Sequence, residues 1–377
     1  MIDNKLTVCA KDKCAGCMAC VDICPKGAIT IEDSVKAYNA VIDEKKCINC
    51  NLCHSVCAVN NPPQKEEPKK WYQGWVADAE KRAKSSSGGF AMAIASGFIE
   101  NGGVVCSCEF KNGEFTFGFA EKEEELNKFI GSKYVKSNPR GIHKVIQDYL
   151  KAGKKVLFIG LPCQVAGLKN YVKINSENLY TIDLICHGSP SPKLLESFLN
   201  GYGVSLNHIS NISFRKSSNF RLSSEDCALE PEGVYDMYTH AFMRCLDYTD
   251  NCYQCQFAAL ERCSDITLGD SWGTELSEQE QGRGISLLLC QTEKGRELVS
   301  MINNCLKPVN IEKATEANHQ LRHPSVAPPE REKFIKLYQK SYSFKRAIKK
   351  CYPKFYYKQK IKRFLIKFKI MRGGGYN

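Results

Sequence analysis

No run of about 18 consecutive apolar residues occurs in this 377-residue chain, so no membrane-spanning helix is expected. The opening residues, MIDNKLTVCAKDKC, lack the apolar stretch of a secretory signal, and the expected location is the cytoplasm. No G-x4-G-K-S/T is present, which excludes a P-loop, and no G-x-G-x-x-G follows a strand-like run and opens a helix, so a dinucleotide Rossmann site has no support. Acids almost vanish near the end: residues 331–377 hold 16 Lys or Arg and one carboxylate, Glu332. The net charge of +12 therefore belongs to that segment, and the other 330 residues carry −3. With 43% hydrophobic residues the chain has an ordinary globular composition and length enough for two or three domains.

What is abundant is cysteine, at 21 residues. An odd, high count in a chain of this length argues against a secreted disulfide scaffold. In a reducing compartment, clustered thiols point to metal ligation. Two clusters repeat one spacing, C-x2-C-x2-C-x3-C: Cys14, Cys17, Cys20 and Cys24, then Cys47, Cys50, Cys53 and Cys57. Three thiolates on a tight loop hold three corners of a [4Fe–4S] cubane, and the fourth cysteine of each repeat reaches the opposite cluster. The expected sets are Cys14, Cys17, Cys20 with Cys57, and Cys47, Cys50, Cys53 with Cys24. Structural zinc, the rival, takes four ligands from two pairs rather than two interleaved quartets. Strand-like runs, "AITIED" and "YNAVID", lie between the repeats, and the pattern resembles the bacterial dicluster ferredoxins over residues 7–62. Ala58 stands where Pro is usual, and Cys9 lies outside the pattern as an ordinary thiol. Residues 60–70, NNPPQKEEPKK, read as a linker.

Beyond the linker, strands and helices alternate, which predicts a mostly parallel sheet. The loop Ser85–Ser86–Ser87–Gly88–Gly89 precedes a helix and offers small hydroxyls and free backbone N–H groups to a phosphate; an ordinary serine cap is the bland reading. "VLFIG" and "YTIDLI" are strands, and Cys163 and Cys186 each follow the carboxyl end of one, the edge where open α/β sheets bind ligands. Cys252-x2-Cys255 occupies a loop, and "DITLGD" forms a further strand ending at Asp270. Together Cys163, Cys186, Cys252 and Cys255 suffice for a third [4Fe–4S] cluster. Zinc and unligated thiols stay open as rivals, and Cys245 and Cys263 are the substitutes. Cys106, Cys108, Cys227, Cys290, Cys305 and Cys351 read as packing or spare thiols.

The stretches "SSSGGF", "GSKYVKS", "FIGLPCQVAGLK", "DLICHGSPSP" and "CYQCQFA…SDITLGDSWG" resemble the coenzyme F420 hydrogenase/dehydrogenase beta-subunit family over residues 74–324. The resemblance implies an FAD-dependent oxidoreductase domain with a nearby cluster. It assigns Ser87, Gly88 and Gly89, beside Ser86, to the flavin, with Lys133 and Tyr134 of "GSKYVKS" along it. It assigns Cys163, Cys186, Cys252 and Cys255 to the cluster. Asp270 either touches the flavin or caps a turn; Arg215 is an anion contact or a surface charge. His187 is a weak candidate for proton transfer, against a role in holding the cluster loop. "CHGSPSP" looks like the bacterial branch, which leaves F420 itself in question as substrate.

The expected fold class is α+β to α/β. A dicluster ferredoxin-like domain (1–62) precedes an α/β flavin-binding domain (71–330) and a basic amphipathic helical tail (331–377). The clusters would pass single electrons to FAD, which exchanges a hydride with an organic substrate or a deazaflavin, in either direction. The competing reading is an electron-transfer subunit serving a partner enzyme; a third, an iron–sulfur protein that has lost FAD, conflicts with the retained motifs. Expected partners are a ferredoxin, a flavodoxin or a dehydrogenase subunit. The tail's alternating Lys, Phe, Tyr and Ile also suit an anionic membrane surface, and no nucleic-acid module accompanies them.

Overall fold

The computed structural model describes residues 5–172, 177–217, 219–302 and 305–371, so the extreme ends of the first and last expected segments lie outside it. Among the described residues no helix is long and apolar enough to cross a membrane.

The two cysteine repeats fold alike. A left-handed residue, Met18 (φ 61°) or Asn51 (φ 64°), precedes a one-turn helix, Ala19–Ile23 or Leu52–Val56. Each helix ends on the fourth cysteine of its repeat, Cys24 or Cys57, in extended conformation. Between the repeats, β1 (Ile29–Asp33) and β2 (Tyr38–Ile42) pair antiparallel with Ile29 opposite Ile42. Their interior mixes Val8, Ile29, Ala40, Ile42 and Val56 with the cysteines themselves. A unit of this size has few apolar side chains to bury and depends on something other than a hydrocarbon core.

The body is built on one eight-stranded sheet. Its strands are β3 (Lys70–Gly74), β4 (Val104–Lys111), β5 (Glu114–Ala120), β6 (Val156–Gly160), β7 (Leu179–Leu184), β10 (Ile266–Asp270), β11 (Ser286–Cys290) and β12 (Leu306–Lys307); β8 (Ser213–Lys216) and β9 (Asn219–Ser223) form a separate hairpin. The sheet order is β12-β3-β11-β10-β7-β6-β4-β5. Only the four central strands β10, β7, β6 and β4 run parallel; β5 on one side and β11, β3 and β12 on the other pair antiparallel. The expected mostly parallel sheet is thus a mixed one. The reason is local: Asn112 (φ 51°) and Gly113 (φ 79°) turn β4 straight back as a hairpin, where a crossover helix would have kept the direction.

Helices cover both faces. β6 sends Leu157 and Ile159 toward helix Phe90–Glu100, and Val156 and Phe158 toward helices Ile142–Lys151 and Pro162–Val172. That two-sided burial explains its unbroken apolar run. A third core lies in the excursion between β7 and β10, where Leu194, Leu195, Phe198, Phe214, Leu222 and Tyr238 pack together.

The last segment departs from a tail. Helices Arg331–Ser341 and Phe344–Cys351 bury Phe334, Ile335, Tyr338, Phe344, Ala347 and Ile348 in this third core. Of the three helices in this segment, only Pro353–Lys367 has no buried residue. Its lysines hid the distinction, because a basic helix can still bury one apolar stripe.

Candidate redox site at the carboxyl edge of the sheet

The front repeats bring their cysteines together crosswise. The charge of Cys57 acts on Cys14, Cys17 and Cys20, whereas Cys53 feels Cys24 and Cys47. Burial, then the neighbouring charges of Cys14 and Cys57, push the Cys17 thiol up to about 12; burial raises Cys20 too. Cys9, set aside in the sequence, lies between Cys14 and Cys57 and hydrogen-bonds both, which holds Cys57 down at about 6. Crowded thiols that oppose one another's ionisation suit a cationic iron core, which offers each thiolate its own iron. Among the described residues no three Cys, His, Asp or Glu side chains converge as they would on a single metal ion.

The front domain docks on the helix that carries Cys163. A Cβ added at Gly167 of that helix would lie 2.8 Å from Cys17 Sγ, so the two surfaces meet there without a side chain between them. Cys163 is one turn earlier on the same helix, where residues i and i+4 share a face. Beside this contact Asp22 accepts from the Gly141 N–H at 2.8 Å and lies 2.6 Å from His143 Nδ1.

Cys163, Cys186, Cys252 and Cys255 form a second group. The LPCQ turn is held by Gln164, whose Oε1 accepts from Leu161 N–H at 2.9 Å while its Nε2 donates to Ser137 Oγ at 2.9 Å. The loop after β7 pairs Pro190 with Tyr248, and Thr249 N–H donates to Ser189 O at 3.2 Å, which brings Cys252 alongside Cys186. A side chain at Gly188 would overlap the Tyr248 ring, so glycine is required for this approach. Cys252 and Cys255 sit on a 3₁₀ turn, Asp250–Gln254, rather than in an open loop. Burial, then Cys252 and Cys255, push Cys186 up to about 12; Cys163 is raised by burial and by Cys255. Cys245 and Cys263 pack beside this group, but Cys245 is set against Tyr248 and Ser325, and Cys263 against Asp183.

A cavity of about 550 Å³ opens at the carboxyl edge of the parallel strands. Ser86, Ser87, Gly89, Lys133, Tyr134 and Asp270 all line it, as do Cys186 and His187. Gly88 does not: its Cα faces the sheet, where a Cβ would come within 2.6 Å of Ser286 N. Ser86 Oγ accepts from Ser132 N–H at 2.8 Å and ties the serine loop to GSKYVKS, and Ser87 Oγ donates to Ile285 O at 2.9 Å. Lys133 Nζ donates to Phe129 O (2.7 Å) and Ile130 O (3.1 Å), and burial lowers its pKa. Tyr134 stacks on Phe242 at 4.4 Å, giving the cavity a flat aromatic wall that sequence reading did not foresee.

Arg215 and Asp270, read separately in the sequence, are partners: the guanidinium meets both carboxylate oxygens at 2.6 and 3.2 Å, with Arg215 buried. His187 Nδ1 lies 2.6 Å from Gln320 Nε2, whose other hydrogen points to His319 Nε2 at 2.9 Å. One amide donating to both rings leaves His187 protonated on Nε2. Burial and the neighbouring His319 push its pKa down to about 4, so the ring is neutral at neutral pH, a geometry that matches the loop-holding reading better than proton delivery.

Clustered thiols at both ends of a domain contact, with a deep cavity behind them, define an iron–sulfur redox protein built from a ferredoxin front and an α/β body. The family model described as 4Fe-4S dicluster domain matches residues 13–61, and the model for the C terminus of the coenzyme F420 hydrogenase/dehydrogenase beta subunit matches residues 153–313. The chain belongs to the coenzyme F420 hydrogenase/dehydrogenase beta-subunit family and carries the dicluster domain at its N-terminal side. The F subunit of the F(420)H(2) dehydrogenase of Methanosarcina mazei is 22% identical over 258 residues, 63% of this chain and 72% of its own length. The Coenzyme F420-dependent sulfite reductase of Methanocaldococcus jannaschii is 21% identical over 333 residues, 79% of this chain but 47% of its own, so the chain spans about half of that relative. An uncharacterized ferredoxin of the same organism is 35% identical over 68 residues, 16% of this chain and 86% of its own.

Proposed function

We propose that the protein is an iron–sulfur flavoprotein oxidoreductase. The observation that carries this reading is that one cavity is lined both by Ser86, Ser87, Gly89, Lys133 and Tyr134 and by Cys186 of the second thiol group. In this reading Cys14, Cys17, Cys20 and Cys57 hold one [4Fe–4S] cluster, Cys47, Cys50, Cys53 and Cys24 a second, and Cys163, Cys186, Cys252 and Cys255 a third, with FAD in the cavity. When bound, the clusters would supply one-electron chemistry and the flavin a hydride or two-electron exchange with an organic substrate or a deazaflavin. The chain's own part is to bind, orient and exclude water. Lys133 brings a buried cation, Tyr134 and Phe242 a stacking wall, and Arg215 is neutralised by Asp270, so the cavity favours a planar, anionic ligand. Two curated relatives named for F420 support a deazaflavin as the exchanging partner.

The second reading is an electron-transfer subunit serving a partner enzyme, favoured by the relative named as one subunit of a dehydrogenase. Anaerobic purification with iron, sulfide and flavin counted per chain, and EPR after dithionite, tests the cofactors. About twelve irons and one flavin are expected; about eight irons without flavin would overturn the flavoprotein reading. Hydride exchange with a deazaflavin or another small molecule in the absence of any protein partner then separates the two readings.

Peripheral contact with an anionic membrane through helix Pro353–Lys367 belongs to the same proposal. One face of that helix is docked: Phe355 stacks on His240 at 3.6 Å, and Arg363 pairs with Glu230. On the opposite side Tyr357, Ile361, Phe364 and Phe368 are 47%, 60%, 56% and 57% exposed. At 3.6 residues per turn these four fall within about 60° of one another, and Lys354, Lys358, Lys360 and Lys367 flank them. Sedimentation with phosphatidylglycerol vesicles tests it. Replacing the four apolar residues by serine should abolish binding, and equal sedimentation of both proteins sinks the idea.

A further inference from the structure

Lys136 belongs to the GSKYVKS stretch that the sequence reading laid along the flavin, yet the structure turns it the other way. Its backbone N–H donates to Pro190 O at 2.9 Å, in the loop after Cys186. Its stem packs on the front domain, where a Cβ at Gly16 would lie 3.3 Å from Lys136 Cδ. Its Nζ donates to Ala15 O at 3.2 Å and lies 5.0 Å from the centre of the Tyr38 ring. The residue thus spans the seam between the Cys14–Cys17 loop and the carboxyl edge of the sheet.

The side chain is 5% exposed. Among the described residues no carboxylate lies within ion-pair distance of it; the recorded partners of the ammonium are one carbonyl and one ring. A buried ammonium without a counter-charge costs several kcal/mol even after relaxation, on the order given for a single buried ion. Folds keep such a group when an anion faces it. The anions available are thiolates on both sides: the Lys136 charge favours ionisation of Cys14 in the front domain and of Cys163 and Cys186 in the body.

We propose that Lys136 is the shared counter-ion of the two clusters that face each other across the domain seam, and that it raises the reduction potential of both. The proposal rests on the cluster assignment given under Proposed function. A cubane held by four thiolates is an anion, and each one-electron reduction adds a further negative charge. A fixed cation beside it stabilises the reduced form more than the oxidised one. Low dielectric strengthens the effect, and added salt does not screen a charge with no access to water. The cluster held by Cys24, Cys47, Cys50 and Cys53 lies outside this set, since no effect of Lys136 is recorded on those thiols. It serves as an internal reference.

The test is a dithionite redox titration of anaerobically purified full-length protein followed by EPR, for wild type and for Lys136→Met, Lys136→Gln and Lys136→Arg. Iron and sulfide per chain are measured first. A wild type lacking the expected iron would remove the cluster assignment itself. With clusters present, Lys136→Met is expected to shift the reduction equilibrium of two clusters about tenfold toward the oxidised form, which is about 59 mV for one electron, while the third stays put. Lys136→Arg should stay near wild type. Lys136→Gln, which keeps a donor for Ala15 O but no charge, should follow Lys136→Met and carries the test if methionine costs iron. Unchanged potentials in the charge-free variants, or an equal shift of all three clusters, would overturn the proposal.

Discussion

Gly167→Val probes the seam between front domain and body directly. The helix Pro162–Val172 meets Cys17 at this glycine, with a Cβ placed 2.8 Å from its Sγ and 3.0 Å from its Cβ. Ordinary contacts begin near about 3.5 Å, so even one methyl forces a displacement of roughly half an ångström or more. Gly167→Ala would gain up to about 1 kcal/mol of helix propensity, and over-packing typically costs about 1–3 kcal/mol. The clash wins narrowly for alanine. Valine adds two branches and loses the propensity gain, so a loss of about 2–3 kcal/mol is expected. Cys17 cannot simply rotate away when an iron holds its sulfur, so the cost should be larger in iron-loaded than in apo protein. Anaerobic urea titrations of both forms, with iron per chain, measure this. A Gly167→Val protein with wild-type iron content and a wild-type urea midpoint would show that Cys17 is not pressed onto this helix.

Three further expectations concern other parts of the molecule. Cys163→Ser should lose about four irons per chain, whereas Cys245→Ser and Cys263→Ser should lose none, by iron and sulfide assay. Asp270→Ala leaves the buried Arg215 guanidinium unpaired and should cost about 3–5 kcal/mol by urea unfolding, with much of it recovered in an Arg215→Met/Asp270→Leu pair; an unchanged midpoint for the single variant would count against a tight ion pair. Asp247 is fully buried with neither side-chain oxygen hydrogen-bonded, and burial raises its pKa from 3.8 to about 7. A raised folded-state value means that its stabilising contribution is complete below about pH 4 and is lost as pH rises through 7. Wild type should therefore lose about 2 kcal/mol relative to Asp247→Asn between pH 6 and 8.5, and parallel pH profiles would refute the assignment.

The ligand-bearing loops were legible in the sequence because their geometry is local. Eleven residues with thiols at fixed intervals leave a chain little freedom, and both repeats adopt the same left-handed residue and one-turn helix that the spacing implies. The strand ends carrying Cys163, Cys186 and Asp270 were legible for a similar reason: an unbroken β-branched run followed by Pro or Gly marks where a buried strand stops. Charge asymmetry was equally plain, but not its meaning. Net charge counts lysines without saying which face of a helix they occupy, so two core helices were taken for a tail.

Tertiary structure decided what depends on distant segments meeting. Cys57 faces Cys14, Cys17 and Cys20 because the β1–β2 hairpin folds the repeats back on each other. Cys252 joins Cys186 across more than sixty residues only because Gly188 admits the Tyr248 ring and Thr249 bonds Ser189. The sheet is mixed because a two-residue turn reverses β5, a choice that strand propensity does not express. Lys133 and Lys136 stand three residues apart in one motif and serve opposite sides, the first lining the cavity and the second crossing to the front domain. Spacing in the chain determined which chemistry these residues can perform; packing determined toward which neighbour each one performs it.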